Sequence, residues 1–213
     1  MKNNRRRRKR RKKLYVLRIL TACAALVIGI VCLFRIQDVV FSHDRQQAAS
    51  SGFPAKGTSV TLLYQTDPAW SRTAYGDGTI GTSGCAPTVM AMALGLSSPE
   101  AIARWADEQG YYEPGAGTQW AFIPAAAQAA GTEAWELALD QLQVCQALDA
   151  GCSVVVCVGP GDFTTTGHFL LLTGYDPDGF ILQDPNSPER TGMIWNWQQL
   201  AGQIRCLWSV GPL

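Results

Sequence analysis

Cys85 stands where chemistry makes a thiol reactive. It is followed by Ala86-Pro87-Thr88 and an unbroken run to Leu94 that reads as a helix, with Pro87 tolerated in the first turn. A helix N-terminus carries partial positive charge and unpaired N–H groups, which favour thiolate over thiol. The preceding Thr82-Ser83-Gly84 reads as an accessible turn. A thiol nucleophile needs a base, and imidazole is the usual one. The chain holds two histidines, His43 and His168, and His43 falls in a polar stretch outside the globular part. Taken singly, a free cysteine is most often a small buried hydrophobe and a strand-end histidine a satisfied core residue. Taken together, Cys85 and His168 make a nucleophile and its base.

A catalytic imidazole is oriented through its second nitrogen. Asp184 ends the strand that returns from the turn at 176–179, and His168 begins the outgoing strand. Both therefore lie at one end of a hairpin, although a one-residue slip would put them on opposite faces. Asn186 is the alternative acceptor, and Asp176 lies at the wrong end. A tetrahedral oxyanion needs donors. The Cys85 backbone N–H is one, and the Gln65 side-chain amide, just after an apolar run, is placed to be the second.

The elements that must position these groups follow from pattern. Residues 59–64 read as a strand, and a glycine-rich, turn-forming segment spans 67–84. Helices are expected from Cys85, over 99–109 with a capping box at 97–100, over 119–130 capped by Thr118, and from an Asp140 cap to about Gly151. The period then changes. Residues 153–158 and 168–175 read as strands, 180–183 as the returning strand, 197–203 as a short helix and 204–210 as a last strand. A helical half followed by an antiparallel sheet is an α+β domain.

Composition places this domain. Ten Lys/Arg fall within residues 1–13, and only six basic residues follow Arg35, against all seventeen acids, a balance near −11. A basic block can bind nucleic acid, but here an apolar stretch follows it. Residues 16–34 are apolar except for Arg18, which sits near the basic end where it can snorkel. The positive-inside rule puts the tail in the cytoplasm and the rest outside. A cleaved signal peptide would have a shorter apolar core and a small-x-small site, which does not follow Phe34 closely. The Leu20-Thr21-Ala22-Cys23 lipoprotein-like box lacks an apolar run before it. The expected layout is a basic cytoplasmic tail (1–13), a transmembrane signal-anchor (14–36), a flexible stalk (37–57) and one domain (58–213). Five cysteines remain in that domain: Cys85, Cys145, Cys152, Cys157 and Cys206. An odd number leaves at least one unpaired. Apolar surroundings make the last four small core residues, with disulfides among them left open.

Several segments together resemble the C-39-like peptidases. They are Tyr64-Gln65-Thr66-Asp67, GDGTIGTSGCAP at 76–87, Gly110-Tyr111-Tyr112, Gly117-Thr118-Gln119-Trp120, FTTTGHFLLLTGY at 163–175 and Asp184-Pro185-Asn186-Ser187-Pro188. The family has a papain-like cysteine peptidase fold and is related to the peptidases that remove double-glycine leaders from bacteriocins. The resemblance spans essentially all of 58–213. It implies Cys85 as nucleophile, His168 as base, Asp184 as the orienting group and Gln65 as oxyanion donor. It also implies that the glycine-rich segment loops out, because Gln65 and Cys85 are 20 residues apart. The expected activity is hydrolysis of peptide or amide bonds through a Cys acyl-enzyme, by a membrane-anchored extracellular bacterial enzyme. Expected partners are a peptide or protein substrate and the lipid bilayer, with no nucleic acid, no cofactor, no metal and a monomeric chain. The alternatives are a cell-wall amidase or acyltransferase of related fold, or a catalytically silent peptide-binding domain. An NlpC-type endopeptidase would usually add a second histidine, which the domain lacks.

Overall fold

The computed structural model describes residues 60–211. The expected tail, anchor and stalk all lie outside the described residues. Among the described residues no helix is long and apolar enough to cross a membrane.

The chain opens with a short hairpin, β1 (Ala74–Tyr75) and β2 (Gly78–Thr79), followed by a single helical turn, α1 (Ile80–Ser83). Then come α2 (Cys85–Ala93), α3 (Glu100–Glu108), a second small hairpin of β3 (Tyr112–Glu113) and β4 (Gly117–Thr118), and α4 (Phe122–Ala129). The remaining elements are β5 (Ala134–Glu136), α5 (Gln141–Asp149), β6 (Ser153–Val158), β7 (His168–Asp176), β8 (Gly179–Gln183), β9 (Ile194–Trp195), α6 (Trp197–Ala201) and β10 (Ile204–Val210). The main sheet has six strands in the order β5-β10-β6-β7-β8-β9, with every neighbouring pair antiparallel.

Helices α2, α3 and α4 precede the sheet, as the pattern implies, while α5 and α6 lie among its strands in chain order, and together they cover both of its faces. All six residues of β6 are buried, the mark of a strand packed on two sides. Val155 and Cys157 join Phe169, Leu171, Cys206 and Trp208 in a core shared with α2, α3 and α4. Val154, Val156 and Val158 join Leu170, Leu172 and Leu182 in a second core, where α5 supplies Val144 and Ala147 and α6 supplies Leu200. Helix α2 is buried from Ala86 to Ala93, so it is the central helix and not an amphipathic surface one. Cys157 and Cys206 face each other in register across β6 and β10 as free thiols.

Local expectations fail where a tertiary contact outbids a local signal. Residues 60–64 form no strand: Leu63 is buried, Val60 and Leu62 are exposed, and Gln65 N–H makes the segment's link to the Pro185 carbonyl (2.8 Å). Thr118 caps no helix, because its hydroxyl is hydrogen-bonded to the Tyr75 hydroxyl (2.7 Å), and α4 starts at Phe122. At α3 the N-cap is Pro99, whose side chain has no group to cap with; Ser98 Oγ accepts the Glu100 N–H (3.2 Å), and Glu100 accepts the Thr73 hydroxyl (3.0 Å) in place of a capping-box return. Asp140 does cap α5, accepting the Leu142 N–H (2.8 Å).

The joint between α1 and α2 leaves no room for a side chain. A Cβ on Gly84 would stand 2.5 Å from the Ile80 carbonyl oxygen and 2.7 Å from its Cα. Both obstacles are backbone, so relief requires moving α1 away from the Cys85 helix. Gly84→Ala is expected to cost about 1–3 kcal/mol. For a domain of this size that lowers the melting midpoint by about 2–4 °C per kcal/mol. A calorimetric midpoint unchanged from the parent chain would contradict the packing described.

Candidate active site

Cys85 is the first residue of α2 and is half-buried. Gly84, the N-cap, supplies no side-chain hydrogen bond, so no side chain competes for the N–H groups at that end. The buried Thr88 hydroxyl donates to the Gly84 carbonyl (2.7 Å) and locks the turn below the thiol.

His168 opens β7, opposite Val158 of β6, and is 6% exposed. Its Nε2 meets Asp184 Oδ1 at 2.8 Å. Leu171 pairs with Gln183 and Leu172 with Leu182, so His168, Leu170, Leu172, Leu182 and Asp184 share one face at one end of the hairpin. That register puts the Asp184 carboxylate, and not the Asn186 side chain, on the imidazole. Asn186 is exposed and contributes its backbone N–H to Asp184 Oδ1 (2.8 Å). Asp176 closes the far end of β7. With Nε2 taken by Asp184, Cys85 is the other group that acts on the imidazole, and it too favours the charged ring.

Asp184 has no exposed surface. Burial alone would favour the neutral acid, but the His168, Asn186 and Arg190 contacts outweigh it and hold the carboxyl below its ordinary range. Burial likewise opposes a charged His168, and here the Asp184 and Cys85 contacts win, raising the imidazolium pKa to about 9. Elsewhere burial pushes the Cys157 thiol up to about 11 and that of Cys206 up to about 12, so both stay protonated at neutral pH. Among the described residues no group of three or more His, Cys, Asp and Glu is placed to hold a metal ion.

Gln65 is 4% exposed and ties the two halves of the site together. Its Nε2 donates to the Gly81 carbonyl (3.0 Å) in the turn before Cys85, and its backbone N–H donates to Pro185, next to Asp184. The amide nitrogen keeps a second hydrogen for an oxyanion, and Oε1 is buried without a partner among the described residues. The long gap to Cys85 closes as the spacing requires. Trp70 Nε1 donates to the Tyr64 carbonyl (2.8 Å), Ile80 N–H to Thr73 (2.9 Å) and Gly81 N–H to Ser71 (2.9 Å), so the chain leaves and returns beside itself.

Arg190 was not legible as part of this site. Its Nε donates to Asp184 Oδ2 at 2.7 Å, opposite the histidine. The available signal was scarcity: it is one of six basic residues after Arg35, in a loop that starts at Asp184.

Residues 58–205 match the model of the Peptidase_C39 like family. No curated protein matches. Among solved structures, the peptidase domain of Streptococcus ComA, a bi-functional ABC transporter involved in quorum sensing, is similar at 17% identity and a TM-score of 0.48, covering 61% of this chain and 93% of that one. A C39-like peptidase from Bacillus anthracis gives 16% and 0.43, covering 71% and 94%. A double glycine motif protease from an AMS/PCAT transporter, solved with its leader peptide, gives 14% and 0.38, covering 74% and 95%.

The two shifted groups set opposite pH limits. His168 binds its proton more tightly folded than unfolded, so its contribution is complete below about pH 6.5 and is lost as pH rises through about 9. Asp184 is depressed, so its contribution is present above its ordinary value of 3.8 and is lost as pH falls through its folded value. The melting midpoint of the parent chain should therefore fall between about pH 6.5 and 9. Asp184→Asn should flatten that fall, because the imidazolium loses its partner. Parallel alkaline slopes in the two chains would refute this coupling.

Proposed function

The chain belongs to the Peptidase_C39 like family, and from that premise we propose that it is a cysteine peptidase working through a Cys85 acyl-enzyme. His168 holds the proton as an imidazolium while the Cys85 sulfur attacks the scissile carbonyl. The oxyanion is met by the Cys85 N–H at the start of α2 and by the second hydrogen of Gln65 Nε2. The imidazolium then gives its proton to the departing amine as the C–N bond breaks, leaving a thioester. Water, deprotonated by the same imidazole, opens the thioester and returns the thiol. Asp184 holds the ring in the tautomer that these transfers need. The observation that carries this reading is the His168–Asp184 bond of 2.8 Å, on an imidazole whose charge Cys85 also favours.

The same proposal places the domain, residues 58–213, outside the cell on a 37–57 stalk. Residues 14–36 anchor it in the bilayer, and residues 1–13 form a cytoplasmic tail. What supports this is the order of a basic block, an apolar span and an acidic remainder. Its substrate is a peptide or protein, and an acidic exterior suits basic or neutral ones.

Three measurements test this reading. Iodoacetamide should alkylate Cys85 of the full chain faster than Cys145, Cys152, Cys157 or Cys206, and His168→Ala should slow that labelling at neutral pH; equal rates for the five thiols would remove the nucleophile. On a peptide library, Cys85→Ser should cost at least about 10³-fold in cleavage and His168→Ala about 10²–10⁴-fold, whereas full activity in the serine variant would sink the mechanism. A reporter fused after Leu213 should be active only outside the cytoplasm, and cytoplasmic activity would overturn the orientation.

A further inference from the structure

The Asp184 carboxylate serves two cationic groups. Oδ1 accepts from His168 and from the Asn186 N–H, and Oδ2 accepts from Arg190 Nε at 2.7 Å. Arg190 is no loose surface side chain. Its guanidinium lies 5.9 Å over the Phe163 ring, and its NH1 donates to the Asp162 carbonyl (3.4 Å). Phe163 is itself buried against Trp195, whose Nε1 donates to the Arg190 carbonyl (3.4 Å). Arg190 is thus clamped between the loop that leads into His168 and the loop that follows Asp184.

The charged and titratable groups around His168 are few. Cys85 acts on it from the start of α2, Asp184 bonds it from just after β8, and β6 presents Val158. Behind Asp184 stand Arg190 and Glu189, the latter accepting the Ser187 hydroxyl (2.8 Å). The Asp162 carboxylate is occupied by the Gln199 and Gln203 amides at 2.8 and 2.9 Å. The field at the imidazole is therefore set by the thiol, one carboxylate and the guanidinium on that carboxylate.

We infer that Arg190 is a positioning residue that divides the charge of Asp184 between itself and His168, leaving an imidazolium acidic enough to release its proton. A buried carboxylate facing only the imidazole would bind the imidazolium proton more tightly. A histidine locked in that form is a poor donor to the leaving amine and a poor base for the hydrolytic water. Arginine suits the task because it stays charged and its Nε–H lies in the guanidinium plane, fixing the carboxylate while it shares it. This role rests on the cysteine-peptidase reading for its consequence in turnover, but not for its effect on His168.

The test uses the full chain in detergent micelles, labelled with ¹⁵N-histidine. The chain has only two histidines, so His43 serves as the internal reference for His168. Arg190→Gln keeps an amide donor but removes the charge, and Arg190→Lys keeps the charge. His168 should titrate about one unit higher in Arg190→Gln and stay near the parent value in Arg190→Lys. The alkaline limb of cleavage should move with it, and kcat should fall about tenfold with KM unchanged. An unmoved or lowered His168 midpoint in Arg190→Gln, or equal shifts in both variants, would overturn the proposal and leave Arg190 as a brace. Arg190→Met, which fills similar space without charge, should give the same upward shift if the glutamine variant does not fold, and no shift there overturns the proposal equally. Loss of the Cys85 labelling preference in the parent chain would instead overturn the peptidase reading, so the two failures are distinct.

Discussion

A carboxylate with no exposed surface sits at the centre of this domain, and its neighbours are arranged to keep it ionised. Removing an ion from water costs several kcal/mol unless its lone pairs are met. Asp184 meets that cost with an imidazole, a backbone N–H and a guanidinium. Its own backbone is closed by Thr191, whose hydroxyl accepts the Asp184 N–H (3.0 Å) and donates to its carbonyl (3.2 Å). The β7–β8 register, the turn after β8 and the loop before β7 all converge on that one side chain. Strand β7 outruns β8 at the open end because His168, Phe169 and Leu170 pair with β6, and that overhang sets His168 beside Asp184.

The other half of the site is held by the absence of side chains. Gly84 lets α1 fold against the start of α2, which puts Cys85 at an uncapped helix end. The glycine-rich segment behind it is stitched to the helices: Gly76 N–H donates to both Asp107 carboxylate oxygens (3.1 and 3.0 Å), and Tyr112 donates to Asp77. The insertion between Gln65 and Cys85 is therefore a packed brace. It brings the Gln65 amide to the Gly81 carbonyl, beside the nucleophile, across a separation that would otherwise be entropically free to wander.

Much of this was legible in the residues. The strands that bury both faces show as continuous apolar runs, and the turn at 176–179 is written in Asp-Pro-Asp-Gly. Cys85, His168 and Asp184 were legible because each combines a chemical type with a boundary: a helix start, a strand start and a strand end. The rest depends on contacts that no local pattern encodes. Thr118 looks like a helix cap and serves Tyr75 instead. Strand β5 exists because β10 has an open edge for Ala134–Glu136 to pair with. Strand β9 exists because β8 has one, and two-residue strands leave no periodicity to read. Arg190 lacked a signal of its own, since a lone arginine in a loop is ordinarily a solvated charge.

The charge distribution gives that arginine its weight. After Arg35 the chain carries six basic residues against seventeen acids, so positive charge is scarce near any carboxylate. Arg190 Nε lies on Asp184 Oδ2, the side turned away from His168. A lysine in its place would present a flexible point charge with no plane to match the carboxylate. An uncharged residue would concentrate the anion's field on the imidazole, and one without a donor would also leave a buried oxygen unpaired. The balance at Asp184 thus has both a structural and a protonic side. A carboxylate tied to one cation fixes a proton, whereas one tied to two can hold a ring in place while leaving that proton free to move.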